Sequence, residues 1–361
     1  MIGSHKSDLE TPCLIIDYPK LKYNLVTMQT HITQHQIDYR PHCKTHKSTQ
    51  LAKLQLEHGA IGLSVTTFAE AQVLVNHDID GILITSPVTA KPRLRGLPSL
   101  LKKSPSLMLV VDNIDNILEL NDIGQAIGQK INVLLDIDAG IGRTGVKPKL
   151  ALEYGQLIDS QSFLELCGIQ CYAGHLQHIH DYSKRKALSL QVMENASQLI
   201  KQFRAHHLPC PILTGSGTGT FDIDIEASEV TEIQPGSYVV MDVEYQEIEG
   251  LYCFKPAMTL FTTVISRHGD EHVTVDAGTK SIYFNTQHQP KIISHPALIY
   301  DWAGFGDEHG KVTSTNPELL PVVGDVLEFI VPHCDPTINL YKELYVLEND
   351  IVIDIWNINM R

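Results

Sequence analysis

The sequence predicts an α/β protein: a (β/α)8 barrel of the TIM-like kind followed by a β-rich C-terminal domain. Two observations carry this expectation. From residue 37 to about residue 240, eight short apolar or β-branched runs alternate with longer amphipathic stretches, as parallel strands joined by helical crossovers require. After about residue 245 the alternation gives way to β-branched runs separated by turns, with little helical period. Residues 15–245 are assigned to the barrel and residues 246–361, with 1–14, to the second domain. A doubly wound open sheet is the other arrangement that the alternation allows.

Taken in order, the barrel strands are expected in "IDYRPHC" (37–43), "IGLSV" (61–65), "GILIT" (81–85), "LMLVV" (107–111), "INVLLDID" (131–138), "LCGIQCY" (166–172), "ILTGSG" (212–217) and "GSYVV" (236–240). Between them, Ser48–His58, Thr67–His77 and Asn113–Ile123 carry apolar residues at i, i+3, i+4 spacing and begin on residues that cap helices. The second domain is read from "MTLFTTVISRH", "EHVTVDAGTK", "VLEFIVPHCD" and "ELYVLENDIVIDIW". The tail "IVIDIWNINMR" is too apolar for a disordered appendage and is expected to be a packed strand. No internal repeat or low-complexity segment interrupts the pattern.

The bulk charge excludes some functions. With 28 Lys and Arg against 42 Asp and Glu, and a net charge of -14, the chain lacks the positive footprint that nucleic acid or an anionic membrane needs. No window approaches the uninterrupted apolar length of a membrane span, and the N-terminus has no apolar leader region. The seven scattered cysteines read as reduced thiols of a cytoplasmic protein.

A barrel places its chemistry just after the strand ends. There the sequence puts Lys44 with His42, His46 and Lys47, then Arg143 in "DAGIGRTGV", and then Tyr172, His175 and His178 in "YAGHLQH". The last two strands are followed or formed by "GSGTGT" (215–220) and "PGSY". The small, glycine-rich "TGSGTGTF" lets backbone amides approach an anion, and barrels often hold phosphate after strands seven and eight. A lysine facing a phosphate cradle across the barrel mouth suggests pyridoxal phosphate joined covalently to that lysine, because a desolvated amine of lowered pKa attacks an aldehyde. Lys44 ends its strand directly, whereas Lys47 belongs more naturally to the following helix.

Together "ETPCLIID", "RPHCKTHK", "DAGIGRTGV", "YAGHLQH", "GSGTGT", "PGSYVVMD", "VDAGTK", "DEHG" and "PHCD" resemble the fold-type III pyridoxal-phosphate enzymes of the D-threonine aldolase and D-serine dehydratase group, related to alanine racemase. The likeness runs from about residue 10 to residue 345. It implies Lys44 as the cofactor lysine, with Ser216, Gly217, Thr218, Gly236 and Tyr238 around the phosphate. It also implies Arg143 near the cofactor's phenolic oxygen and Tyr172 and His175 near its ring. A homodimer whose site is closed partly by a metal-bearing second domain follows from the same resemblance.

The metal clue is "VPHCDPTINLY". On an extended segment, His333 and Asp335 share a side and Cys334 faces away. The resemblance associates His-x-Cys with the dehydratases and a zinc-preferring thiolate. His-x-Asp is similar instead to the aldolases, and its oxygen donor suits Mn2+ or Mg2+. The expected reaction is cleavage of a D-β-hydroxy-α-amino acid to glycine and an aldehyde, with His178 as the base and His175 as its alternate. His309 in "GDEHG" stays open between the metal shell and substrate binding, while Asp276, Gly278 and Gly310 read as turn residues. The competing functions are a D-serine or 3-hydroxyaspartate dehydratase on the same scaffold, and a pyridoxal-phosphate carrier without turnover.

Overall fold

The structure is a computed structural model that describes residues 1–285, 287–302, 304 and 306–360. The helices start where short polar side chains satisfy the free amides of a first turn. Thr67 and Glu70 form a reciprocal capping box on the helix Phe68–Asn76, and Asn113 accepts from the amide of Asn116 at the start of Ile114–Ile127. Ser48 stands before Thr49–Glu57 but makes no side-chain cap.

Eight parallel strands form the first sheet: Asp38–Tyr39, Leu63–Val65, Ile82–Ile84, Met108–Val111, Ile131–Ile137, Leu164–Cys171, Ile212–Gly215 and Glu232–Ile233. The first pairs with the last, Asp38 beside Glu232. A parallel bridge between His42 and Ser64, with Ile61 N donating to Tyr39 O at 2.9 Å, joins the first strand to the second and closes the ring. Seven strands fall within the expected runs or overlap them. The eighth does not: it is Glu232–Ile233, and "GSYVV" is a tight turn over Ser237–Val239 instead. The chain must swing from the strand end across the barrel mouth there, and Gly236 passes so close to His42 that a Cβ would sit 2.9 Å from the His42 carbonyl oxygen.

The second sheet has nine strands. Met258–His268 is its spine, pairing with Val326–Ile330, His272–Val275 and the N-terminal strand Cys13–Asp17. That N-terminal strand also runs parallel to Glu343–Glu348, so the boundary expected between residues 14 and 15 falls inside one strand of this sheet. The tail forms the strand Ile351–Asn357 against Glu343–Glu348. One apolar core lies between the barrel and its helices, and a second runs from Leu14 and Ile16 through Tyr238 and Phe254 to Phe329 and Trp356. All seven cysteines are free. Among the described residues, no helix is long and apolar enough to cross a membrane.

Candidate active site

Lys44 lies in the single helical turn Cys43–Thr45, five residues beyond the end of the first barrel strand at Tyr39 and not directly at that end. The basic cluster around it divides by burial. His42 Nδ1 accepts from the Lys44 amide at 3.3 Å, so its ring proton is on Nε2, which donates to Thr85 Oγ1 at 3.1 Å. Burial, and then the Lys44 charge, push the His42 pKa down to about 3. His46 is likewise buried, accepting from Ser48 N and bonding Gln55 Oε1 at 3.1 Å, and its pKa falls to about 4. Both imidazoles are therefore neutral structural pins that fix the turn from which Lys44 projects.

Lys44 enters a cavity of about 350 Å3 at the barrel mouth. Arg143, Tyr172, Ser216, Gly217, Thr218 and Gly236 all line it. The Arg143 guanidinium stands 5.5 Å from the centre of the Tyr172 ring. The loop after Ile212–Gly215 is bent by Ser216, whose φ of 69° is left-handed. A Cβ on Gly217 would stand 2.5 Å from Gln177 Oε1, and one on Gly236 would stand 2.6 Å from Thr45 Oγ1. Among the described residues, the amides of Gly217, Thr218 and Gly236 donate to no protein acceptor. A glycine cradle of free amides opposite a lysine fits the phosphate and aldehyde ends of pyridoxal phosphate.

Tyr238 is not in that lining. Its phenol is fully buried and meets the Tyr39 hydroxyl and Gln55, while only its backbone amide reaches the cradle, donating to Thr218 Oγ1 at 3.0 Å. The reason is the turn at Ser237–Val239, which faces alternate residues differently from a strand. His175 is exposed, lies near Gly140, and borders neither this cavity nor the next. His309 is exposed too and lies just before Gly310–Ser314 in the second sheet.

Lys44 also borders a second cavity, of about 470 Å3, that contains His333 and Asp335. The segment is not extended: His333 precedes the short helix Cys334–Ile338. That removes the two-residue alternation from which the pair was expected to share a side. Both nevertheless line this cavity, each held by different partners. Asp335 pairs with the Lys44 ammonium and accepts from Ser237 Oγ at 3.2 Å. Burial alone would raise the Asp335 pKa, but Lys44 and His333 hold it well below the usual range. Burial works to lower the Lys44 pKa too, yet Asp335 raises it, so the free lysine is a held ammonium and not the amine of lowered pKa expected from sequence.

His333 Nδ1 bonds Asp242 Oδ2 at 3.0 Å, and that oxygen also accepts from Cys334 N at 2.9 Å. Asp242 Oδ1 accepts from Tyr245 N at 2.9 Å, so the carboxylate is fixed at both ends. Burial lowers the His333 pKa, but the Asp242 bond and the nearby carboxylates push it up to about 9. Donor atoms of Asp242, His333 and Cys334 lie within 4.8 Å of one another. Burial, then Asp242 and Asp335, drive the Cys334 thiol pKa well up. Asp242 orients His333 through Nδ1, which leaves Nε2 to face a divalent cation, and Asp335 lines the same cavity as His333. His178 borders neither cavity, but its ring is 6.2 Å from that of His333, and its Nδ1 is 3.5 Å from Glu244 Oε2. Thr85, Gln170, Gln234 and Tyr245 line the first cavity without any signal in the sequence reading. Thr85, Gln170 and Gln234 sit within strands or just after them, and Tyr245 sits in the short helix Val243–Gln246, where nothing marks them from core positions.

A lysine just beyond a barrel strand end, set against a glycine cradle of free amides, defines a pyridoxal-phosphate enzyme. Residues 16–243 match the alanine racemase N-terminal domain and residues 257–347 a putative serine dehydratase domain. A D-threonine aldolase of Arthrobacter sp. is 32% identical over 99% of this chain and 94% of its own length. A 3-hydroxy-D-aspartate aldolase of Paracoccus denitrificans is 29% identical over 99% of this chain and 94% of its own. The solved D-threonine aldolase of Filomicrobium marinum superposes with a TM-score of 0.95 at 31% identity, covering 100% of this chain and 98% of that one. The chain belongs to the fold-type III pyridoxal-phosphate family of the D-threonine aldolases and D-serine dehydratases, and it is a lyase of that group.

Proposed function

We propose that the protein is a divalent-metal-dependent aldolase that cleaves D-β-hydroxy-α-amino acids to glycine and an aldehyde. The observation that supports this reading is the oxygen donor Asp335, paired with Lys44, in one cavity with the oriented His333, whose ring is 6.2 Å from that of His178. His333 and Asp335 would hold Mn2+ or Mg2+ in preference to Zn2+, because a carboxylate and not a thiolate completes the pair. When bound, the cofactor supplies an electron sink for the pair left at Cα. His178 accepts the β-hydroxyl proton as the Cα–Cβ bond breaks and the carbonyl forms at Cβ. Cα regains a proton, and glycine leaves. Burial lowers the His178 pKa, which favours the neutral ring a base needs. The relatives named above act on D-threonine and 3-hydroxy-D-aspartate, and the proposed substrates share their β-hydroxyl. We also assign a cytoplasmic homodimer with no nucleic-acid or membrane partner, on the charge of -14 and the family resemblance.

The test is product analysis with pyridoxal phosphate and Mn2+. Glycine plus an aldehyde, lost on chelation, is the expected result. Ammonia plus a 2-oxo acid would mean a dehydratase. His178→Ala is expected to lower the cleavage rate about 10^2- to 10^4-fold, and an unchanged single-turnover rate would put the base elsewhere.

Asp242→Asn is expected to weaken Mn2+ binding about 10- to 100-fold while Lys44 still takes up cofactor. Calorimetric titration with Mn2+ measures this, and an unchanged affinity would remove Asp242 from that role.

A further inference from the structure

One buried polar atom of the first cavity has no partner. Gln170 is 3% exposed and lines that cavity from the sixth barrel strand, two residues before Tyr172. Its amide nitrogen donates to Thr85 O at 3.0 Å and to Asp136 Oδ1 at 2.8 Å. Both partners are acceptors, so the amide cannot turn over: the reverse placement would set Oε1 against a carbonyl and a carboxylate. Among the described residues, Gln170 Oε1 finds no hydrogen bond. A buried amide oxygen is ordinarily satisfied, and a donor on a bound molecule would satisfy this one.

The neighbouring donors are committed elsewhere. Thr144 Oγ1 donates to Asp136 Oδ2 at 2.7 Å, and Thr85 Oγ1 donates to Val65 O at 3.0 Å. Gln234 Nε2 donates to Thr214 Oγ1 at 2.8 Å. Burial raises the Asp136 pKa to about 6, while the bonds from Gln170 and Thr144 favour its carboxylate. At Gln170 the cavity therefore offers a ligand an acceptor, held in place from behind by a carboxylate.

We propose that Gln170 faces the ring nitrogen of bound pyridoxal phosphate and that Oε1 accepts from that nitrogen in its protonated form. The assignment rests on pyridoxal phosphate in this cavity and holds for an aldolase and a dehydratase alike, so it goes beyond the reaction proposed above. It follows from the order of groups around the ring. Lys44 takes the aldehyde carbon, and the amides of Gly217, Thr218 and Gly236 take the phosphate arm, which carries acceptors only. The phenolic oxygen is next to the aldehyde, on the lysine's side of the ring. The ring nitrogen lies opposite the aldehyde, and with a proton it is the donor left for the far wall. Lys44 and Arg143 are cations on the same cavity and oppose a positive ring, whereas the Asp136 carboxylate directly behind the Gln170 amide favours one. A protonated ring draws the electron pair from Cα more strongly than a neutral one.

The experiment is solid-state 15N NMR of the holoenzyme, with the cofactor labelled at its ring nitrogen and with Mg2+ in place of paramagnetic Mn2+. The wild type is expected to show the protonated nitrogen at neutral pH. Gln170→Met, similar in length but without the acceptor, should shift the signal to that of the unprotonated nitrogen, and Gln170→Glu, which keeps an oxygen there, should not. Cofactor affinity is the second measurement, comparing pyridoxal phosphate with its deaza analogue, in which C–H replaces the ring nitrogen. The wild type should prefer the nitrogen compound about 10- to 100-fold, the worth of a hydrogen bond to a charged group, and Gln170→Met should lose that preference. An unprotonated signal in the wild type, with the ring nitrogen accepting from the second hydrogen of the Gln234 amide, would overturn the proposal without recourse to any variant. Equal preference in the wild type and Gln170→Met would overturn it as well.

Discussion

Lys44→Ala is expected to abolish turnover, with a loss of about 10^4-fold or more, and to remove the visible absorbance of bound cofactor. The size follows from place and chemistry. Lys44 is the lysine on the wall of the glycine cradle, held by a turn that His42 and His46 pin from beneath. Lys47, three residues on, faces the second cavity only and is tied to Asn339 and Glu70, so it cannot substitute. The fold should survive. The Lys44 side chain is 41% exposed, and an ion pair so placed contributes roughly 0–1 kcal/mol. Asp335 keeps Ser237 as a donor. Absorption spectra and steady-state rates on the same preparation test the prediction, with thermal melting as the control. A visible band that persists in Lys44→Ala would sink the covalent role.

His333→Ala is expected to retain the cofactor band yet lose Mn2+-dependent cleavage by about 10^2- to 10^4-fold, and Asp335→Ala should do the same. For His333 the clean outcome has a structural reason. Removing the imidazole leaves Asp242 still accepting from Cys334 N and Tyr245 N, so no buried carboxylate is orphaned. Asp335→Ala also frees the Lys44 ammonium, and a changed rate of cofactor uptake is therefore expected in that variant alone. Metal content after dialysis, together with turnover in chelated and Mn2+-restored samples, decides it. Full activity of either variant in the presence of chelator would remove the metal pair.

The sequence determined the architecture and the first cavity. The run "LMLVV" is apolar throughout and "INVLLDID" mostly so because barrel strands are covered on both faces, and that signal is local. Helix starts at Thr67 and Asn113 are equally local, since a cap acts within one turn. Lys44, Arg143, Tyr172, Ser216, Gly217, Thr218 and Gly236 were legible for a related reason: strand ends of a barrel converge whatever the loops between them do.

Only the tertiary structure decided the rest. The eighth strand moved to Glu232–Ile233, because Gly236 must cross against His42 and Thr45, residues nearly 200 positions away in sequence. Tyr238 turned into the core toward Tyr39, and His175 stayed at the surface while His178 met His333 and Tyr245. Asp335 found Lys44, and Asp242 found His333. Each of these outcomes depends on which distant group shares a side chain's last few ångströms. Periodicity carries the direction of a chain within one element, whereas the partner of a polar atom is set by the packing of all of them.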